Sequence, residues 1–316
     1  MFSPPVLQVF IKALGWSLRK TSLVLHILWS FIESDFVTFA IPNTAFGVFG
    51  AIASPVLVQG PSSPIPTTTA QILHRLPYIL GFNVANLLVF DLANQRAPQS
   101  VAEDRINKPW RPIPRGQVSM DQVRRLMLVS IPFVLALNYT LGVWQQGTSI
   151  LVLTWMYNDL RGGDEAFLRE VLIAIAYGLF NSGSLSVAVG SGQHSLSARG
   201  VAWVATTSGV TLTTMQVQDL KDQEGDRVRG RKTIALFLGD QVSRVSISFF
   251  VCFWSCVCAR CWTLDAIPFF FIAVFAAVVA IRVLFVRSAK GDARTWRYWC
   301  FWHASLYALP LLASRE

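Results

Sequence analysis

Acidic side chains are grouped at an unusual place in this sequence, just where a long apolar segment ends. Residues 218–227 read QDLKDQEGDR, in which Asp219, Asp222 and Asp226 recur at intervals of three and four residues. This spacing predicts that the three carboxylates share one face of a helix. Acids at such a membrane boundary are costly unless they bind something. Carboxylate oxygens suit Mg²⁺ and the neighbouring basic side chains suit phosphate, so the pattern predicts a magnesium–diphosphate site at a membrane surface.

A second polar group follows an earlier apolar segment. Asp91 and Asn94 lie three residues apart at the end of that segment, so both can face the interior of a helical bundle. Glu103 and Asp104 come next, and a basic tail at residues 107–115 contains three prolines that restrict its backbone. The group is therefore predicted to form the second half of the same site. The alternative for either group is a solvated loop or helix cap whose charges pair with each other.

The composition indicates an integral membrane protein rather than a soluble domain. Of 316 residues, 53% are hydrophobic and 14% are charged, and the mean hydropathy is +0.46. Several apolar runs approach the ~20 residues that an α-helix needs to span a bilayer. The nine segments of this kind are residues 37–58, 78–92, 123–141, 148–156, 167–189, 201–217, 242–258, 267–285 and 298–312. This predicts an all-α bundle of about nine transmembrane helices in residues 37–316, preceded by an amphipathic N-terminal segment, residues 1–36.

The basic residues orient this bundle. Connections after odd-numbered segments contain only Arg75, Arg199 and Arg260, whereas those after even-numbered segments are rich in arginine and lysine. Since positive charge marks the cytoplasmic side of a membrane, both acidic groups are expected at the mouth of a central cavity that opens to the cytosol. The net charge is +9, and the basic residues responsible for it lie in connections next to the membrane. This position favours anionic lipid or a diphosphate over nucleic acid as partner. We expect the protein in the endoplasmic reticulum membrane.

The two acidic groups resemble the paired motifs of a known family. Residues 218–227 are similar to the second aspartate motif of the UbiA superfamily of membrane prenyltransferases, and Asn94 with residues 107–116 is similar to the first. The first motif departs from the usual pattern, because Pro98 and Ala102 stand where aspartates are expected four and eight residues after the asparagine. The altered motif resembles a fungal branch of the superfamily that includes UbiA-type terpene cyclases.

The resemblance implies a metal site that both groups share. Members of the superfamily bind a prenyl diphosphate through Mg²⁺ held by the two acidic motifs. The metal ligands implied here are Asp91, Asn94, Glu103, Asp104, Asp219, Asp222 and Asp226. Those expected to have catalytic roles are Asn94, Asp219, Asp222 and Asp226. The cations expected to neutralise the diphosphate oxygens are Lys108, Arg111, Lys221, Arg231 and Lys232.

The expected reaction is ionisation of a linear prenyl diphosphate. Metal and cations stabilise the departing diphosphate, and an apolar bundle interior keeps the allylic cation from water. The altered first motif favours a membrane-bound, Mg²⁺-dependent class I terpene cyclase that acts on farnesyl diphosphate. Intermolecular prenyl transfer to an aromatic or other acceptor is the alternative, because it needs the same ionisation. A transporter is disfavoured, since its charges would lie near the middle of the membrane rather than at helix ends.

Other residues are secondary candidates. Aromatic faces attract cations, although packing is the ordinary role of any one aromatic side chain. The aromatic residues that could line the cavity are Phe46, Phe82, Phe90, Trp155, Tyr157, Tyr177, Phe180 and Trp203. Asn158, Asp159 and Asp164 form a third polar group, interpreted either as a helix cap or as a rim contact with the diphosphate. Cys258 and Cys261 have the spacing of half a zinc site, but without a second pair they are expected to be structural thiols.

Overall fold

The fold is a bundle of long helices. The computed structural model describes residues 22–60, 68–190 and 194–312, and these contain nine helices of at least 15 residues. They are α1 (Ser22–Ile52), α2 (Thr69–Gln95), α3 (Met120–Thr140), α4 (Trp144–Asn158), α5 (Ala166–Val189), α6 (Ala198–Thr214), α7 (Asp240–Cys261), α8 (Ala266–Phe285) and α9 (Ala289–Leu306). Shorter helical segments are Ser54–Leu57, Pro98–Asn107, Gly162–Asp164, Met215–Lys221, Gln223–Arg229, Ile234–Phe237 and Leu309–Leu312. Two short strands, β1 (Val58–Gln59) and β2 (Ser195–Leu196), pair antiparallel. The prediction of an all-α fold is confirmed.

Five of the nine helices are long and apolar enough to cross a bilayer. These are α1, α2, α5, α7 and α8. The other four are shorter or more polar, so the predicted number of about nine spans is not confirmed by length and composition. Each of the nine predicted segments nevertheless overlaps one of the nine long helices, in the same order along the chain.

Helix α1 runs without interruption across the predicted boundary at residues 36 and 37. Residues Phe36–Ala40 form a π-helical turn inside it, and Ile41–Ile52 continue as an α-helix. Residues 22–36 are therefore part of the first long helix, whereas residues 1–21 lie outside the described residues. A separate amphipathic segment stays a prediction for that part of the chain.

Polar residues that precede the apolar runs determine where helices begin. At the start of α2, the hydroxyl of Thr68 accepts from the backbone N–H of Gln71, and the Gln71 side chain accepts from the backbone N–H of Thr68. At the start of α9, the Ser288 hydroxyl accepts from the backbone N–H of Gly291. Helix α9 therefore begins well before the apolar run predicted at residue 298, because its first turns are polar and hydropathy does not mark them.

Helix α5 is central, and it packs against α1, α2, α4 and α6. The approach of α1 is close at Gly47, where an added Cβ would lie 2.7 Å from the carbonyl oxygen of Ser184 on α5. The polar segments that follow α2 and α6 lie against each other, since Pro98–Asn107 packs on Gln223–Arg229. The packing of the bundle thus brings the two acidic segments to one end.

A buried arginine connects α7, α8 and α9. Arg244 on α7 donates from Nη1 and Nη2 to the two carboxylate oxygens of Asp292 on α9, at 2.9 and 2.8 Å. Its Nη1 also donates to the carbonyl oxygen of Val283 on α8 at 2.9 Å, and its Nε donates to Asp240 at 2.8 Å. Because Arg244 and Asp292 are each 2% exposed, their charges depend on one another for compensation.

Candidate active site

A single cavity at this end of the bundle is lined by both acidic segments. Asn94 and Glu103 contribute from the first segment, and Asp219 and Asp226 contribute from the second, although the two segments are far apart in the sequence. The full set of predicted site residues in the lining is Asn94, Glu103, Asp104, Lys108, Arg111, Asp219, Lys221, Asp222, Asp226 and Arg231. The structure therefore brings the two predicted groups together.

Two of the predicted site residues do not line this cavity. Asp91 is buried inside α2, and neither of its carboxylate oxygens has a hydrogen-bond partner among the described residues. Lys232 points to the exterior, where its Nζ lies 3.5 Å from Oε2 of Glu165 and its side chain is 61% exposed. Lys232 is thus placed away from the carboxylates with which it was grouped.

The second acidic segment does not form the single helical face predicted from its spacing. Met215–Lys221 is a 3₁₀-helix and Gln223–Arg229 is a short α-helix, with Asp222 between them. The backbone N–H of Asp222 donates to the carbonyl oxygen of Asp219 at 3.1 Å, a tighter turn than that of an α-helix. Asp219 and Asp226 are nevertheless both buried beside the same cavity.

Asp219 and Asp226 each keep one oxygen without a hydrogen-bond partner among the described residues. Arg169 donates to Oδ1 of Asp219 at 2.7 Å, and Arg231 donates to Oδ1 of Asp226 at 3.3 Å. In the described part of the chain, the Oδ2 atom of each has no hydrogen-bond partner. Burial raises the pKa of Asp219 to about 7, and burial together with the charge of Asp219 raises the pKa of Asp226 to about 7. A bound cation would stabilise the charged forms of both groups.

These side chains fit the donor chemistry of a magnesium site. The free Oδ2 atoms of Asp219 and Asp226 and the unpartnered Oδ1 of Asn94 are hard oxygen donors of the kind that Mg²⁺ prefers. Asp222 pairs with Lys221. Burial acts to raise the pKa of Asp222, but the charges of Lys221, Lys108 and Arg111 together outweigh it, so the pKa is lowered. No three His, Cys, Asp or Glu side chains of the described residues already form a closed metal cluster. The donors would therefore have to converge around an ion.

The acids of the first segment have a different environment. Both carboxylate oxygens of Asp104 accept from Nη1 of Arg111, at 2.9 and 3.0 Å. Oε2 of Glu103 accepts from Arg229 at 3.0 Å, and its Oε1 accepts from Arg231 at 3.3 Å. All four carboxylate oxygens thus contact guanidinium groups. Glu103 and Asp104 are carboxylates like Asp219 and Asp226, but neither has an oxygen without a hydrogen-bond partner.

The side chain of Asn107 joins the two acidic segments. Its Nδ2 donates to the carbonyl oxygen of Asp222 at 2.9 Å, and its Oδ1 accepts from the backbone N–H of Gly225 at 3.2 Å. Gly225 allows this close approach, because a Cβ at that position would lie 2.3 Å from Nδ2 of Asn107. Asn107 is part of the first motif, but the sequence did not indicate that it holds the second one in place.

We expect Gly225→Ala to lower turnover by about 10²-fold while the protein stays folded, because the new methyl group displaces Asn107 and separates the two segments. Turnover and the thermal midpoint of unfolding in detergent are the measurements. Gly81→Ala is the matched control, since nothing lies within 4 Å of a Cβ there. Equal turnover in the two variants would contradict the positioning role of Asn107.

Away from the charged groups the cavity wall is apolar and aromatic. Phe39 on α1 meets Tyr177 and Phe180 on α5 edge-on, with ring centroids 4.8 and 4.7 Å apart. Of the eight aromatic residues named from the sequence, Phe90, Tyr157, Tyr177 and Phe180 line the cavity. Those outside the lining are Phe46, Phe82 and Trp203, which are buried in the bundle core, and Trp155, which is exposed. The cavity thus has a charged end and an apolar wall.

Sequence reasoning missed several residues of the site. Asp35 on α1 lines the cavity, and its Oδ2 lies 3.6 Å from Nη2 of Arg111. Arg169 on α5 is 3% exposed and binds both Asp219 and Glu170. The signal for Arg169 was present, because two adjacent charges within an apolar helix are costly without a specific role.

The third polar group, Asn158, Asp159 and Asp164, is connected to the cavity through an arginine. Asp164 accepts from Nε of Arg229 at 2.8 Å, and Arg229 lines the cavity. Asp159 pairs with Arg96 near the end of α4. Among the described residues, none of Asn158, Asp159 and Asp164 belongs to the cavity lining. Asp164 therefore contacts the site through a guanidinium group.

Known proteins share both the sequence pattern and the fold. A diterpene cyclase of Hericium erinaceus is 27% identical over 88% of this chain and 85% of that protein. The fumagillin beta-trans-bergamotene synthase of Aspergillus fumigatus is 28% identical over 79% of this chain and 88% of that protein. A polyprenyl transferase of Hericium erinaceus is 27% identical over 88% of this chain and 91% of that protein. The relatives therefore include both cyclases and a transferase.

A solved structure with the same architecture comes from an archaeon. The UbiA homologue from Archaeoglobus fulgidus, determined with GPP and Mg²⁺ bound, aligns with a TM-score of 0.60 over 90% of this chain and 99% of that one, at 12% identity. Residues 76–306 match the UbiA prenyltransferase family. Since that match covers most of the chain, the protein belongs to the UbiA prenyltransferase family and is an integral membrane protein.

Proposed function

We propose that this protein is a membrane-bound, Mg²⁺-dependent class I terpene cyclase that ionises farnesyl diphosphate and cyclises it. The observation that carries this proposal is the shared cavity, which combines carboxylates of both acidic segments with an aromatic wall. The cyclases among the relatives support the choice of an intramolecular reaction. The membrane we propose is that of the endoplasmic reticulum. We orient the charged end of the cavity toward the cytosol, because basic residues concentrate in the connections at that end.

The charged end of the cavity provides the binding site for the diphosphate. Asp219, Asp226 and Asn94 would hold Mg²⁺, with Asp222 beside them, and the bound ion would supply positive charge to the diphosphate oxygens. Lys108 and Lys221 line the same end and add positive charge from the protein. These groups stabilise the negative charge that grows on the leaving diphosphate as the allylic C–O bond breaks.

The apolar wall controls what the allylic cation does next. The bonding electrons leave with the diphosphate, and the isoprenoid chain retains a positive charge. Phe39, Tyr177 and Phe180 line the cavity and exclude water from that chain, and aromatic rings of this kind attract a cation. A double bond of the same chain then attacks the cation to close a ring, and loss of a proton gives a neutral hydrocarbon.

Intermolecular prenyl transfer is the second candidate function. A polyprenyl transferase is among the relatives, at an identity similar to that of the cyclases. Ionisation would proceed in the same way, and an acceptor molecule would capture the cation in place of an internal double bond.

Incubation of microsomes that contain the protein with farnesyl diphosphate and Mg²⁺, with no acceptor added, is expected to release a cyclic hydrocarbon detectable by gas chromatography and mass spectrometry. EDTA is expected to stop product formation, because the charge on the leaving diphosphate is then uncompensated. Microsomes from cells without the protein are the control. Product that forms only after an aromatic acceptor is supplied would favour the transferase, and undiminished turnover in EDTA would refute the metal-dependent mechanism.

A further inference from the structure

We propose that Glu103 of the first acidic segment holds two arginines that bind the diphosphate, and that it is not part of a second set of metal ligands. Glu103 is then a positioning residue that holds Arg229 and Arg231, and these two guanidinium groups contact the diphosphate oxygens directly. Mg²⁺ binds beside them, at Asp219 and Asp226. This inference rests on the diphosphate substrate class of the proposed function, and it assigns Glu103 a role different from the one predicted from the sequence.

The contacts of Glu103 are the first observation. Its two carboxylate oxygens accept from two different arginines, Oε2 from Arg229 at 3.0 Å and Oε1 from Arg231 at 3.3 Å. Carboxylate–guanidinium contacts are charge-assisted hydrogen bonds, which are about twice as strong as neutral ones. A metal ion at Glu103 would compete with these contacts, and each of the two buried arginines would then lose one of its carboxylate partners.

The two arginines are held as a rigid pair. Arg229 donates from Nε to Oδ1 of Asp164 at 2.8 Å and from Nη1 to the Ser100 hydroxyl at 2.7 Å, in addition to its contact with Glu103. Arg231 contacts the same Oδ1 atom of Asp164 at 3.5 Å. Asp164 and Glu103 thus orient both guanidinium groups before any ligand arrives, which lowers the entropic cost of binding an anion.

Arg231 retains an unused donor at the cavity. The residue is 8% exposed and lines the cavity, and its Nη2 has no hydrogen-bond partner among the described residues. A buried guanidinium N–H without an acceptor is costly, and a phosphate oxygen is an acceptor that suits its planar geometry. Arg231 also contacts Oδ1 of Asp226 at 3.3 Å, so this donor group lies next to the proposed metal side of the site.

The acids of the two segments differ in whether they keep a carboxylate oxygen without a hydrogen-bond partner. Asp219 and Asp226 each present an Oδ2 atom without a partner, whereas Glu103 and Asp104 present none. Pro98 stands where the usual first motif has an aspartate, so this position supplies no side-chain oxygen for a metal ion either. The open oxygens of Asp219 and Asp226 suit a metal ion, the open N–H of Arg231 suits an anion, and all three residues line one cavity.

The test uses the purified full-length protein in detergent and measures two affinities without turnover. Mn²⁺ binding, followed by electron paramagnetic resonance, reports the metal side. Binding of inorganic pyrophosphate in EDTA, followed by calorimetry, reports the arginine side, and a prenyl thiodiphosphate in EDTA shows whether the isoprenoid chain adds affinity to the same contacts. The thermal midpoint of unfolding is recorded for every variant.

Glu103→Gln is expected to leave Mn²⁺ affinity within about twofold of the parent protein and to weaken pyrophosphate binding by about tenfold, because the arginines lose their orientation. Asp226→Asn is expected to weaken Mn²⁺ binding by at least about tenfold. Loss of Mn²⁺ affinity in Glu103→Gln equal to that in Asp226→Asn would overturn the proposal, since Glu103 would then be a metal ligand.

Two lysine variants keep the proposal testable if Glu103→Gln does not fold. Arg229→Lys and Arg231→Lys retain the positive charge but lose the planar fork, so each is expected to weaken pyrophosphate binding by about tenfold with Mn²⁺ affinity unchanged. Pyrophosphate affinity equal to that of the parent in both variants would overturn the proposal. Failure of the parent protein to bind pyrophosphate even with Mn²⁺ would instead refute the diphosphate substrate class, and with it the proposed function.

Discussion

Asp226→Asn is expected to reduce turnover of farnesyl diphosphate by about 10²- to 10³-fold while membrane insertion is unchanged. Asp226 lies in the cavity wall with an Oδ2 atom that has no hydrogen-bond partner among the described residues, and its Oδ1 accepts from Arg231, five residues further along the chain. Asparagine keeps the size of the side chain and removes the negative charge that would hold the metal ion. The charge on the departing diphosphate is then poorly compensated when the C–O bond breaks.

The rate of hydrocarbon release from equal amounts of membrane-inserted protein is the measurement for this variant. Glu224→Gln is the matched control, because Glu224 belongs to the same short helix but is exposed and lies outside the cavity lining. We expect the control to keep the parent rate. Activity of Asp226→Asn at the level of Glu224→Gln would remove Asp226 from the proposed metal site.

Arg244→Met is expected to lower the free energy of unfolding by about 3 to 5 kcal/mol. Methionine retains much of the length of the arginine stem, but it leaves Asp292 as a buried charge without its two hydrogen bonds. It also removes the hydrogen bond from Arg244 to the carbonyl oxygen of Val283, so the contact that joins α7, α8 and α9 is lost. The thermal midpoint in detergent should fall, whereas turnover at low temperature should persist because Arg244 is not part of the cavity lining.

Arg294→Met provides the comparison for that result. Arg294 lies on α9 close to Asp292 in sequence, but it is exposed. The same change in residue type there is expected to leave the thermal midpoint within the error of the measurement, since an exposed charge contributes little to stability. Equal midpoints for the two variants would contradict the role of Arg244 in connecting the three helices.

The helices could be predicted from the sequence wherever their apolar faces are continuous. The predicted segment at residues 267–285 differs by only one residue from α8, Ala266–Phe285, which is apolar along its whole length. By contrast, α9 begins at Ala289 with a polar turn, and α1 extends back to Ser22 through Asp35. Hydropathy marks the part of a helix that contacts lipid or the protein core. It does not predict polar helix ends, because these contact other polar protein groups.

The site could be predicted in its local parts but not in its long-range contacts. Asp219, Asp226 and Asn94 were found from their spacing and from their positions at helix ends, which are properties of short stretches of chain. The contact of Arg169 with Asp219 joins α5 to the segment after α6, and nothing in either stretch specifies the other. Asp35 was missed for the same reason, since it reaches the cavity from α1.

The joined acidic segments have a practical consequence for chimeric enzymes. Glu103, Asn107 and Ser100 each bind a residue of the stretch 222–231, so neither stretch has a complete set of partners of its own. A graft of only one stretch from a homologue would bring new side chains against unmatched neighbours. Exchange of the charged end of the cavity between family members should therefore succeed when residues 100–107 and 222–231 are transplanted as a single unit.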